Sequence, residues 1–216
     1  FQSFFSWDDL NNLLNYHGLL EPDLHFSLDG KSLPETNSPE EWNRYLRRGA
    51  TLIVNGIHRR VPAISQLAAQ LRQDFGYRTH VNLYFSPTAQ QGFNCHYDNH
   101  DVLVLQLEGE KEWFIFGETE PCPTLRHSDS LSPPNESPYL QCTLKAGEVL
   151  YVPRGHWHYA IAALDTPSLH LTVGIDCQTG LDWLQWLAQE AQKLKPWRES
   201  IPCIQGEDRT VAKQHL

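Results

Sequence analysis

The hydrophobic pattern predicts a mainly β protein: a sandwich or barrel of short strands, with helices before it and one helix after it. Three observations carry this prediction. From residue 79 onward apolar and polar residues alternate in short runs separated by glycine or Pro-Arg-Gly, the period of half-buried strands. Before residue 79 the apolar residues mostly recur at helical spacing, between Ser-Pro starts and glycine stops. The stretch "GLDWLQWLAQEAQKLK" then closes the pattern with a strongly apolar helical face.

Taken in order, the first helix covers 3–17. Ser6 is its cap, Asp8 and Asp9 lie in its first turn, and Leu10, Leu13 and Leu14 share a face. Residues 27–40 are polar and rich in turn formers, so they read as a connection. "SPEEWNRYLRRG" is a second helix, and "TLIVNGI" (51–57) a strand ending at Asn-Gly. A third helix spans 63–76, with Ile64, Leu67, Ala68 and Leu71 at helical spacing and Gly76 as its stop. "THVNLYFSP", "GFNCHYDNHDVLVLQLEG" and "KEWFIFG" follow as strands. Residues 117–140 hold five prolines and no apolar period, and read as an extended loop. Strands resume in "QCTLKAGEVLYVPRGHWHYAIAA" and "PSLHLTVGID", for roughly six to eight in all. The expected organisation is a principal domain over 1–180, including the N-terminal helices, and a helical extension over 181–216.

Composition narrows the functional classes. The chain has 216 residues, enough for one domain with an appendage, and 40% hydrophobic residues to pack it. A formal net charge of −9 argues against direct binding to nucleic acid phosphates. No apolar run approaches the ~20 residues of a membrane helix, and no secretory leader opens the chain. Five scattered cysteines without CxxC pairing fit free thiols in a reducing compartment, so a cytoplasmic setting is expected. A chain that starts at Phe1 and contains no Met reads as a fragment.

The chemistry concentrates in "HYDNHDVLVLQLEGEKEW" (96–113). If this is a strand, His96, Asp98 and His100 share one face, and the first two form half of a metal site. The partner segment is "GEVLYVPRGHWHYA", where His156 and His158 would share a face and only one is needed. Two histidines and one carboxylate form the facial triad of non-haem Fe(II) oxygenases. Its open positions admit O2 and a second reactant.

These two motifs together resemble the JmjC-type, cupin-fold 2-oxoglutarate oxygenases, and most nearly their ribosomal-oxygenase branch. The likeness extends upstream to "HVNLYFSPTAQQGF" and downstream to "SLHLTVGID" and "WLQWLAQEAQKLKPWRESIP", covering roughly 79–202, and "SWDDLNNLL" also fits. The resemblance implies a double-stranded β-helix (jelly-roll, cupin) core. It implies Fe(II) on His96, Asp98 and His158, with 2-oxoglutarate as co-substrate and O2 as oxidant. Lys111 would pair with the far carboxylate of 2-oxoglutarate, and Asn82 and Thr172 would lie beside it. Lys111 is out of phase with His96, but Gly109 starts a new strand and resets the parity. The implied activity is hydroxylation of a protein side chain, an Arg or His of a ribosomal protein. The alternatives are an N-methyl-lysine demethylase of the same family, or a non-catalytic metal-binding cupin module. The branch also carries a helical dimerisation region and a winged-helix domain. The apolar stripe of Trp183, Trp186 and Leu187 therefore suits either intramolecular packing or a homodimer seam, and the resemblance favours the seam. For the remaining candidates the expectations are plainer: His170 a hydrogen-bonded core histidine, Cys95 a buried inert thiol, His100 a pocket or surface residue, and Tyr84, Trp113 and Trp157 barrel core.

Overall fold

A computed structural model describes residues 4–16, 18–19, 23–124 and 131–201. The ends of the first predicted helix, Ser3 and His17, and residues 202–216 of the predicted extension lie outside the described residues. The chain divides into two units, Phe1–Cys177 and Gln178–Leu216.

The first unit opens with α1 (Trp7–Tyr16), β1 (Leu24–Leu28), β2 (Lys31–Ser32), α2 (Pro39–Arg47), β3 (Thr51–Val54), a 3-10 turn (Ile57–Arg59) and α3 (Pro62–Phe75). Seven strands follow: β4 (Arg78–Ser86), β5 (Asp101–Glu108), β6 (Glu110–Glu118), β7 (Leu140–Lys145), β8 (Val149–Val152), β9 (His156–Ala162) and β10 (Ser168–Asp176). The second unit holds α4 (Gly180–Ala191) and a 3-10 turn (Lys195–Arg198).

Local chemistry sets the helix ends as expected. Ser6 and Asp9 form a reciprocal cap, with Ser6 N donating to Asp9 Oδ2 at 2.8 Å and Asp9 N to Ser6 Oγ at 3.3 Å. Ser38 accepts from Glu41 N ahead of Pro39, and Gly76 ends α3 at φ 74°. The ten strands among the described residues exceed the predicted six to eight. The extra pair is the β1–β2 hairpin inside "LHFSLDGKS", read in part as a connection. Its turn is Asp29-Gly30, both at positive φ (51° and 73°), which is hairpin chemistry that a polar composition concealed.

A seven-stranded sheet runs β2-β1-β3-β4-β10-β5-β8, and a three-stranded sheet runs β7-β6-β9. Strand parity divides the large sheet into two faces. Val81, Leu83, Leu105, Leu107, Leu169, Leu171 and Val173 belong to one buried core together with Leu10 and Leu13 of α1, Trp42 and Tyr45 of α2, and Ile64 and Ala68 of α3. The opposite parity carries Asn82, Tyr84, His170 and Thr172, which line an internal cavity. A second core, including Val102, Val104, Trp113, Ile115, Leu144 and Leu150, joins the two sheets.

The chain passes from the large sheet to the small one at Gly109, at φ 66°, where an added Cβ would run into the carbonyl oxygen of Pro167. Gly109→Ala is therefore expected to cost about 2 kcal/mol or more, because both the backbone conformation and the contact oppose a side chain. Urea unfolding checks this, and an unchanged midpoint would refute it.

Candidate metal centre

His96, Asp98 and His158 come together, each offering one ligand atom, and these atoms all lie within 4.8 Å of one another. The route differs from strand alternation. β5 begins only at Asp101, so His96 and Asp98 precede the strand rather than open it. Their place is fixed by backbone bonds to the opposite sheet. His158 N donates to His96 O at 2.7 Å, and His96 N to His158 O at 3.1 Å. Gly155 N donates to Asp98 O at 2.9 Å, and Arg154 N to Asp101 Oδ1 at 2.9 Å. The Pro-Arg-Gly turn thus positions Asp98, and an irregular path, free of the pleat, delivers both side chains to one point.

The donor set suits a divalent transition metal. His96 Nδ1 lies 2.8 Å from Asn94 O, and His158 Nδ1 lies 3.0 Å from His156 O. As N–H donors to these carbonyls, both rings keep Nε2 free for a metal. His158 Nε2 and Asp98 Oδ2 are 3.7 Å apart, too far for a hydrogen bond to satisfy them mutually. Burial, followed by the neighbouring His96, pushes the His158 imidazole well below its ordinary pKa and so holds it neutral, the form that ligates. His156 takes no part in the cluster. It opens β9 beside a bulge between Ile115 and Glu118 of β6, and its Nδ1 lies 2.9 Å from the Tyr139 hydroxyl. The extra residue of this bulge lies on β6, and His156 stays at the start of β9 against Tyr139, outside the cluster.

The cluster opens into a cavity of about 320 Å³. Lys111 lines it as well and is 5% exposed, its Nζ donating to Ser86 Oγ at 3.0 Å. Burial lowers the Lys111 pKa to about 7. Asn82 and Thr172 face each other in the β4–β10 register and line the cavity beside Tyr84. Asn82 Oδ1 also accepts from Gly56 N at 3.0 Å, so part of its capacity holds the 3-10 turn.

Several residues expected in the core belong to this cavity. Tyr84 and Trp113 line it, and so does His170, stacked on Tyr84 at 5.0 Å with the rings 7° from parallel. The hydrogen bonding expected of His170 is incomplete: its buried Nδ1 has no partner. Its place could have been found from parity, because in "SLHLTVG" it shares a face with Thr172. His100 lines the cavity and lies against His80 at 4.9 Å. Trp157 is buried, its ring edge-on to Tyr97 and its Nε1 donating to Thr119 Oγ1 at 2.9 Å. Cys95 is half-buried rather than buried, and partial burial raises its thiol pKa.

With this geometry in place, comparison with known proteins decides the family. The JmjC domain family matches residues 58–182. The chain belongs to the JmjC domain family. One relative is the bifunctional lysine-specific demethylase and histidyl-hydroxylase NO66 of Drosophila persimilis, 34% identical over 145 residues, or 67% of this chain and 20% of that protein. Another is ribosomal oxygenase 1 of Rattus norvegicus, 32% identical over 191 residues, or 80% of this chain and 31% of that protein. This JmjC chain thus spans a fifth to a third of the length of these relatives.

Solved structures give the same fold. The X-ray structure of E. coli ycfD aligns with a TM-score of 0.69 at 19% identity, covering 98% of this chain and 59% of that one. YcfD, a ribosomal oxygenase from Escherichia coli, in complex with cobalt and 2-oxoglutarate aligns at 0.67 and 18%, covering 97% and 56%. The core is therefore the cupin-type double-stranded β-helix expected of a JmjC protein, flanked by helices.

Proposed function

We propose that this chain is an Fe(II)- and 2-oxoglutarate-dependent oxygenase that hydroxylates a protein side chain. The observation that carries the reading is one cavity lined by a two-imidazole and carboxylate cluster alongside one buried amine. That pairing matches a ligand with one chelating end and one carboxylate end.

His96, Asp98 and His158 would hold Fe(II), leaving open positions for reactants. Lys111 Nζ would hold the far carboxylate of 2-oxoglutarate, with Asn82 and Thr172 beside it. When bound, iron and 2-oxoglutarate supply the oxidation: with O2 the co-substrate becomes succinate and CO2, and one oxygen atom enters a substrate C–H bond. The chain's own task is to orient the reactants and keep water out, and Tyr84, Trp113, Val102 and Ala160 give the cavity apolar walls.

An arginine or histidine of a ribosomal protein is the proposed substrate, supported by the names of the relatives. Demethylation is the second reading, favoured by the demethylase activity in the name of NO66. A homodimer through α4 belongs to the proposal too. Trp183, Trp186 and Leu187 are exposed on a 12-residue helix whose length alone gives little stability in water. The proposed setting is the reducing cytoplasm, supported by four free cysteines among the described residues. Direct nucleic-acid binding is not part of the proposal, given the net charge of −9.

Anaerobic titration with Fe(II) and then 2-oxoglutarate tests the reading. A weak visible charge-transfer band is expected only with both present, and lost in His96→Ala and Lys111→Ala. Iron binding without such a band would leave a metal-binding module and no oxygenase. Mass spectrometry of ribosomal-protein peptides then separates oxygen addition from methyl loss.

A further inference from the structure

The buried amine of the cavity has an unusual charge balance. Lys111 Nζ meets Ser86 Oγ at 3.0 Å, and Ser86 Oγ is 3.0 Å from Thr51 Oγ1, so β4 and β3 offer it only hydroxyls. From β9 its register neighbour is Ala162, and from β7 it is Leu144. From β10 comes His170, 2% exposed, stacked on Tyr84 and edge-on to Trp113 at 5.7 Å. Among the described residues no carboxylate pairs with Lys111, and the acidic residue lining the cavity, Asp98, belongs to the metal cluster. An amine without a counter-ion and an imidazole nitrogen without a hydrogen-bond partner therefore share one enclosure.

We propose that this enclosure takes up a proton together with the far carboxylate of 2-oxoglutarate, the proton residing on Lys111 Nζ and the neutral His170 adding a hydrogen bond from Nδ1. The inference deepens the co-substrate reading above and rests on it. Its physical basis is that an apolar enclosure disfavours a lone ammonium, whereas a carboxylate beside it restores the charged form. Burial already brings Lys111 down to about 7, so near neutrality the empty cavity holds a mixture of amine and ammonium. Burial and then Lys111 itself keep His170 neutral, which makes it a hydrogen-bond partner and not a second cation. One proton and one carboxylate balance, so the enclosure favours a ligand with a single remote negative charge.

Calorimetric titration of the manganese(II)-loaded protein with 2-oxoglutarate, without O2, decides the matter. At pH 8, in buffers of different ionisation enthalpy, about one proton is expected to be taken up per molecule bound. The Kd is expected to rise about tenfold for each pH unit above 7. Lys111→Arg, whose guanidinium stays charged, is expected to lose both the uptake and the pH dependence. His170→Leu is expected to weaken binding about tenfold with the proton count unchanged. The wild-type series stands by itself even if a variant fails to fold. Binding with no proton uptake and a flat pH profile would overturn this inference while leaving the co-substrate reading intact. No binding at any pH would overturn that reading, and this inference with it.

Discussion

Lys111→Met is expected to make the metal-free fold more stable at pH 6.5 by about 3 kcal/mol while abolishing 2-oxoglutarate binding. The sign follows from burial. In the unfolded chain the amine keeps its proton up to its ordinary value of 10.5, whereas in the fold it loses it near 7. Between those values the unfolded state binds more protons, so this residue makes stability rise with pH. Its destabilising effect is complete below 7 and gone above 10.5. The full shift would correspond to roughly 5 kcal/mol, and water penetration and the Ser86 hydroxyl reduce what is realised. Methionine fills a similar volume without a charge. Urea unfolding at pH 6.5 and 9.5 should therefore show a gain that shrinks at the higher pH. A variant no more stable than wild type at pH 6.5 would mean that Lys111 is solvated or paired in the folded state. Such a trade of stability for binding marks a residue retained for its function.

The strand pattern made most of this site legible before any coordinates. In "HVNLYFS" and "SLHLTVGID" the odd positions are apolar and pack toward the helices, while the even positions carry His80, Asn82, Tyr84, Ser86, His170 and Thr172. A run of polar residues on the inner face of a barrel implies an interior cavity, and the structure places Asn82 and Thr172 on its wall, the two positions that the family resemblance implies. His170 shares its parity with Thr172, a signal that a single imidazole between leucines masks, and its orphaned nitrogen separates a cavity wall from a satisfied core. His96, Asp98 and His158 are expected as a group, and the structure brings them together by a route that alternation does not describe. Alternation placed His96 with Asp98, yet the structure joins them through an isolated bridge to His158 and a bond from Gly155, long-range contacts that no local period encodes. The same limit explains His156, which has the parity of His158 but meets the Tyr139 hydroxyl, a long-range contact, and stays outside the cluster. The β1–β2 hairpin was missed for the opposite reason, because its Asp-Gly turn is a local signal that lay within a polar stretch.

Asp98→Ala is expected to weaken divalent metal binding by at least about 100-fold and to abolish metal-dependent turnover, with little effect on the stability of the metal-free fold. The three members of the cluster are not equivalent. His96 and His158 are held by their Nδ1 contacts to backbone carbonyls and each offers Nε2 as a ligand. Asp98 alone contributes charge, so it supplies the electrostatic part of the attraction for a dication. Its side chain keeps 31% exposure, so removing it leaves no sealed void. His158, with 7% side-chain exposure and its ring 6.1 Å from Trp113, is different: its loss is expected to cost about 2 kcal/mol of folding stability as well as the metal. Thermal unfolding with and without manganese(II) separates these effects. Wild-type protein should be stabilised by about 2.7 kcal/mol at a hundred times Kd, and Asp98→Ala at the same concentration by less than about 0.5 kcal/mol. If Asp98→Ala kept the wild-type response, the metal would have to bind elsewhere, and the assignment of the facial triad would fall with it.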